Sequence, residues 1–188
     1  MKMRIAAALL VLAFAAGCNQ QSASKQSAEA PQLDAPAPES EPSRAYNAAN
    51  DAARTATGNL TVSVSLRLPD AGSNSDAQEV LTLHGANGLN VEAQITGAVS
   101  PATQVQGQTL RALFAIPVEE PQVLVYRVAN ETKAPNGQGL CNGDNAAYVV
   151  VWDPETPGES SYKVLGLMGG APGAAGARAC PMLEYHRG

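Results

Sequence analysis

From Asn59 onward the chain repeats with a period of two. Leu60, Val62, Val64, Leu66 and Leu68 alternate with Thr61, Ser63, Ser65 and Arg67. That spacing puts the apolar set on one face of a strand and the polar set on the other. Turn residues break the alternation at Leu68-Pro69-Asp70-Ala71-Gly72-Ser73-Asn74. Glu79 to His84 predicts a second strand, and Gly85-Ala86-Asn87-Gly88 is a hairpin signal. Leu89, Val91, Ala93 and Ile95 then alternate with Asn90, Glu92, Gln94 and Thr96, giving a third. Thr109 to Ile116 predicts a fourth, stopped by Pro117, and Gln122 to Val128 a fifth. Asn130 to Asn145 is a long polar loop. Ala147 to Trp152 is the sixth strand, apolar on both faces and therefore central. Asp153 to Gly158 turns the chain, Tyr162 to Met168 is the seventh strand, and Gly169 to Ala179 is a loop of small residues. Met182 to Tyr185 is a short last strand. Eight short strands separated by turns predict an all-β domain, an antiparallel sandwich or small barrel, over residues 59–188. A barrel hides its edges, which suits strands that carry little charge.

The chain before this domain has a different composition. Asn19 to about Gly58 is rich in Ala, Ser, Gln and Pro, and its only large apolar residues are Leu33 and Tyr46. Such a segment cannot bury enough surface to offset the entropy of ordering it, so residues 18–58 are expected to be a disordered tether. Some 40 residues of this kind reach roughly 35 Å end to end. Within it, the Ala-rich stretch Tyr46 to Thr57 is either a short helix against the domain or a continuation of the linker.

The N-terminus gives the address. Met1-Lys2-Met3-Arg4 is basic, and Ile5 to Ala16 is an apolar run. The run is shorter than the roughly 20 residues that span a bilayer. A basic start, a short apolar core and small residues at its end make residues 1–17 a secretory signal peptide. Ala15-Ala16-Gly17-Cys18 resembles the lipobox of bacterial lipoproteins, with Ala15 where that family most often has Leu. The resemblance implies a diacylglycerol thioether on Cys18, cleavage before it, and acylation of the new amino terminus by a fatty acid such as palmitate. Several chains anchor firmly where one would hold marginally, at about 0.8 kcal/mol per buried methylene. Ordinary cleavage after Ala13-Phe14-Ala15 is the alternative. In enterobacterial lipoproteins an Asp after the cysteine retains the protein in the inner membrane. Asn19 stands there instead, which implies the outer membrane, periplasmic face.

Charge and cysteine count fit that address. The chain carries a net charge of −5, and export removes Lys2 and Arg4. The resulting acidic chain excludes nucleic acid as a partner and argues against adhesion to anionic lipid by charge alone. Aromatics are 4% of the residues, so no large aromatic core or carbohydrate-stacking platform is expected. Of the three cysteines, Cys18 is the lipidation candidate, which leaves Cys141 and Cys180. The periplasm is oxidising, and two cysteines allow one intramolecular bridge. It would close a loop of about 40 residues, worth on the order of 4 kcal/mol in the chain-entropy model. No Cys-x-x-Cys spacing supports a reactive pair.

No motif for catalysis or cofactor binding emerges. His84 and His186 each lack a ligand-spaced partner. Glu119-Glu120 sit before Pro121 in a turn, and Asp144, Asp153 and Glu155 are loop acids with no pairing in sequence. There is no Gly-x-Ser-x-Gly, and the glycine-rich stretch from Gly169 to Arg178 lacks the Gly-Lys-Ser/Thr ending of a phosphate loop. No enzyme, metal or cofactor is expected.

A second resemblance lies in the last third. Leu140-Cys141-Asn142-Gly143, Tyr148-Val149-Val150-Val151, Tyr162 to Leu167, Pro172-Gly173, Cys180 and Tyr185 resemble the end of small, uncharacterised envelope lipoproteins of gamma-proteobacteria. That group carries no established activity, and the resemblance supports the disulfide and the lipoprotein class. The plan as a whole is similar in architecture to membrane-bound lysozyme inhibitors, whose Ser-Ala-Ser-Gly loop is absent here. The expectation is a non-enzymatic outer-membrane lipoprotein, held through Cys18, whose domain binds a protein or another envelope component through Asn130–Asn145 and Gly169–Ala179. A structural, envelope-maintaining role and a lysozyme-inhibitor-like role are the alternatives.

Overall fold

The structure, a computed structural model, describes residues 42–69, 76–116, 122–135, 138–154 and 161–188. Cys18, the signal peptide and most of the expected tether lie outside them, as do Glu119, Glu120 and Glu155. In chain order the elements are β1 (Arg44–Ala48), α1 (Asp51–Ala56), β2 (Leu60–Arg67), β3 (Gln78–Gly85), β4 (Asn90–Val99), β5 (Gln104–Val105), β6 (Gln108–Thr109), α2 (Leu110–Phe114), β7 (Val123–Thr132), β8 (Tyr148–Trp152), β9 (Ser161–Met168) and β10 (Arg178–Arg187). Eight of the strands close into an antiparallel barrel in the order β1-β10-β9-β8-β7-β4-β3-β2, while β5 and β6 pair separately.

The alternation sets what faces the bore. Val62 lies opposite Leu83 and Val64 opposite Leu81, and the polar residues between them point outward. Each departure from a regular ladder falls at a bulge. Pro181, which has no N–H to give, sits where β10 shifts register between Ala179 and Met182. Gly97, at φ +135, sits where β4 shifts against β7.

Two elements differ from the sequence expectation. The stretch Thr109 to Ile116 is not one strand: β6 ends at Thr109, and Leu110–Phe114 form the helix α2. Leu110, Ala112, Phe114 and Ile116 satisfy a period of two, but Leu110 and Phe114 also satisfy the i, i+4 spacing of a helix face. The Thr109 hydroxyl decides locally, accepting from the Ala112 amide at 3.2 Å as an N-cap. The second correction moves the domain boundary from 59 to 44. β1, expected to be tether, is the strand that closes the barrel, pairing with β10 through Tyr46–Arg187 and with β2 through Tyr46–Leu60. Its hydrogen bonds are to the backbone, so the sequence Arg-Ala-Tyr-Asn-Ala needs only one large apolar side chain. The count of eight strands thus holds while one member is exchanged for another.

The two ends of the barrel are different. At one end α1 lies across the opening with Ala53 and Ala56 buried, packed with Leu60, Leu89 and Leu140. Asn50 caps α1 by accepting from Ala53 at 2.8 Å and donates to the Met182 carbonyl at 2.9 Å, tying the helix to β10. The Thr57 hydroxyl, buried at the end of α1, reaches the Ala53 carbonyl at 3.0 Å and Tyr185 Oη at 2.8 Å. Cys141 and Cys180 form a disulfide at this plugged end, with their Cα atoms 4.9 Å apart. Gly166 on β9 makes room for it: a Cβ there would meet Cys141 Sγ at 3.1 Å and Leu140 Cβ at 3.2 Å.

There are two apolar cores. One fills the bore. The other lies outside the barrel, where residues 100–116 lay Val105, Leu110, Phe114 and Ile116 against Val123, Val125, Val150, Trp152, Leu165 and Leu167. β8 is therefore buried on both faces, with Val149 and Val151 in the bore core and Val150 and Trp152 under the strap. Lys163 pins the strap by donating to the Phe114 carbonyl at 2.7 Å and pairing with Glu184 at 3.3 Å.

Candidate functional site

The end of the barrel opposite α1 is where β2, β4, β8 and β10 finish and β1, β3, β7 and β9 begin, and the segments 70–75, 117–121 and 155–160 that belong to this end lie outside the described residues. The chain arriving from the N-terminus joins the barrel at this end through Arg44, and Arg187 leaves from it. Below the rim the bore holds four of the five tyrosines, Tyr46, Tyr126, Tyr162 and Tyr185. A composition poor in aromatics led to the expectation of no aromatic core, but the few that exist are concentrated in one place. Tyr46 and Tyr162 stack with ring centroids 4.5 Å apart, and Tyr185 lies 6.4 Å from Tyr162.

The hydroxyls fare differently. Tyr185 is satisfied by Thr57, and Tyr126 donates to Glu79 Oε1 at 2.7 Å. Tyr46 donates to Asp153 Oδ2 at 3.5 Å, and the same carboxylate receives Arg44 at 3.3 Å and Arg187 at 3.1 Å. Tyr162 is 3% exposed, and Trp152 Nε1, not the Tyr162 hydroxyl, is the buried side-chain polar atom without a hydrogen-bond partner among the described residues. Burial pushes the Tyr162 pKa well above the ordinary phenol value, and Tyr46, Tyr126, Asp153 and Tyr185 around it add to the rise.

The rim above this layer is half apolar. The alternation that puts Val62, Val64 and Tyr126 in the bore also turns Leu66 and Leu124 inward at the mouth. Leu66 is 46% exposed and Leu124 41%, and Leu68, which continues the β2 repeat past the strand, is 59% exposed. These are the exposed large hydrophobic residues among the described residues, and all three sit at the same end. Arg44, Asp153, Arg187 and Glu79 form the polar side of the mouth. Leu66 and Glu79 are directly paired across β2 and β3. The arrangement sets an apolar edge beside a polar one, and among the described residues it places no nucleophile beside a base.

The other residues singled out from sequence are not brought together. His84 and His186 are exposed and lie at opposite ends of the barrel. Asp144 forms a bridge with Cys141 at the plugged end, and β8 separates it from Asp153 at the other end of the barrel. No group of three His, Cys, Asp or Glu side chains that could hold a metal is present among the described residues. The two loops expected to make contacts both lie at the plugged end, and both are organised internally. Glu131 accepts from Leu140 at 2.9 Å and Ala146 at 2.8 Å, and Gly173 donates to the Gln104 carbonyl at 3.0 Å. Sequence reading missed Arg44 and Tyr46 because they were assigned to the tether. It named Leu66 and Leu68 but had no means of placing them at a mouth.

No protein-family model, curated protein or solved structure matches this chain.

Proposed function

We propose that this protein is a lipid-anchored module of the bacterial outer membrane. It is held through Cys18 on the periplasmic face and works without catalysis by binding an envelope component at the end of its barrel opposite α1. The observation that carries the binding reading is the shared location of Leu66, Leu68 and Leu124. A small barrel has no stability reason to collect its exposed leucines on one rim, and such a patch marks an interaction site. The anchor reading is supported by the lipobox-like Ala15-Ala16-Gly17-Cys18, and by a disulfide between the two cysteines that remain, the pairing an oxidising compartment favours.

Two measurements test it. The mass of the mature N-terminal peptide reports the anchor: a diacylated and N-acylated Cys18 is expected, and a free Ala16 terminus overturns the lipoprotein assignment. In-cell crosslinking from a photoreactive residue at Leu124 is compared with one at Asn142 on the plugged end. An adduct from the rim is expected, and adducts from Asn142 alone would move the contact to the loops at the other end.

A further inference from the structure

β2 outruns its neighbour on one side. It pairs with β3 along its whole length, from Leu60–Gly85 to Arg67–Gln78. On the other side its ladder with β1 stops at Arg44–Val62. Backbone groups alternate sides along a strand, so each residue is turned to one neighbour. Asn59 is turned to β3, since its carbonyl accepts from Ala86 at 2.8 Å, and Ala45 to β10, since its carbonyl accepts from Gly188 at 3.1 Å. Leu60 and Val62 therefore bond to Tyr46 and Arg44. The next residues turned the same way, Val64 and Leu66, have no backbone partner among the described residues. Their side chains lie on the bore face, where Val64 is half-buried and Leu66 is 46% exposed. This edge carries no bulge and no proline. β4 outruns β3 in the same way past Gln94, but a bulge at Gly97 bends it, which is one means of protecting an edge.

The chain's own N-terminal segment is not built to cover this edge. The β1–β2 register, carried on, sets Pro42 opposite Val64 and Pro38 opposite Leu68. Proline has no N–H, so the carbonyls of Val64 and Leu68 would gain no donor from it. We infer that residues 63–67 of β2 take an extended segment of another protein as an added antiparallel strand, with apolar side chains beside Val64 and Leu66. Such a strand continues the β1–β2 ladder, drawing affinity from the backbone and specificity from alternate side chains. In an antiparallel pair the residue that bonds to Val64 or Leu66 stands directly opposite it and shares its face. The partner therefore carries an N–H and an apolar side chain at the same alternate positions, with polar residues between them beside Ser65 and Arg67. The assignment depends on contact at this end of the barrel, as proposed above, and not on the anchor.

The test uses the full mature protein in detergent micelles and a synthetic peptide of alternating valine and threonine with a lysine at each end. In the protein alone the Val64 and Leu66 amides are expected to exchange with solvent about tenfold faster, or more, than those of Ser63, Ser65 and Arg67, which are turned to β3. The peptide is expected to slow Val64 and Leu66 selectively, and the dose dependence of that protection reads its binding. N-methylation of the valines removes the N–H groups turned to β2 and is expected to weaken binding by about tenfold or more. N-methylation of the threonines, which are turned away, is expected to change it little. Pro42→Val with Pro38→Val returns the missing donors to the chain's own segment, and is expected to slow both amides without peptide and to weaken peptide binding. Loss of binding on threonine methylation, or equal binding by the proline variant, overturns the inference. So does slow exchange of Val64 and Leu66 in the protein alone, and if its mass is that of a dimer the edge belongs to a second copy. In cells, a Leu124 crosslink that the proline substitutions leave unchanged keeps the contact at this end and rules out strand addition. Adducts from Asn142 alone remove the contact end itself, so the two failures are distinguishable.

Discussion

Gly166 shows how one missing side chain sets local structure. It lies mid-strand in β9, facing the bore, with Cys141 Sγ, Leu140 Cβ and Cys180 Sγ all within 3.4 Å of where a Cβ would be. An added methyl must displace a sulfur locked by its bridge or a buried leucine. Gly166→Ala is therefore expected to destabilise by about 1–3 kcal/mol, the usual cost of overpacking, as a lower urea midpoint with an unchanged slope. The penalty should shrink when Cys141 and Cys180 are both alanine, because the sulfurs are then absent, and an equal penalty in both backgrounds would refute this account. The cysteine pair itself was legible in the sequence, since the count left one bridge to make. The role of Gly166 was not, because Leu165-Gly166-Leu167 reads like any strand glycine until the loop carrying Cys141 is folded onto it. The same limit applies to Tyr162 and Leu124. The strands that carry them were visible, but the end of the barrel at which each sits depends on strand order.

At the level of elements, what the sequence conveyed well was anything that buries one face of a strand. β2, β3, β4, β8 and β9 all stand within a few residues of the hydrophobic repeat that announces them. It failed where backbone pairing or packing partners decide. β1 has one large apolar residue and is held by ladders on both sides, and α2 carries a pattern compatible with either period. Each failure yields a prediction. A chain beginning at Asn59 lacks β1 and leaves β2 and β10 with unpaired edges. It is expected to aggregate or unfold without cooperativity, while a chain beginning at Pro42 should show a single cooperative transition by circular dichroism. Cooperative folding of the shorter chain would mean that β1 is dispensable. For α2, five residues are too few to be helical alone, so the element depends on burying Leu110 and Phe114 against β8 and β9. Phe114→Ala is expected to cost about 3–5 kcal/mol, read as a lower urea midpoint, with the rim untouched.

For the molecule as a whole, the tyrosine layer couples stability to alkaline pH. Desolvation raises the pKa of Tyr162 and of Tyr185, in the latter case against a smaller opposing effect of the Thr57 hydrogen bond. Tyr46 is also raised, by burial and then by Asp153, with its arginine neighbours acting the other way. A phenol whose folded pKa is raised keeps its proton after the unfolded chain has lost it. Below about pH 10 both states are protonated and the contribution is complete. Above that point the unfolded state binds fewer protons, so stability falls as pH rises, by about 1.4 kcal/mol per pH unit for each such tyrosine. The urea midpoint is accordingly expected to be insensitive to these groups at neutral pH and to drop steeply beyond about pH 10, with tyrosinate absorbance from the bore appearing together with the loss of structure. Replacing Tyr162 with Phe should reduce the alkaline slope by one proton's worth while leaving neutral stability intact. If bore tyrosines ionise while the barrel remains folded, water already reaches them, and their titration is then not coupled to unfolding.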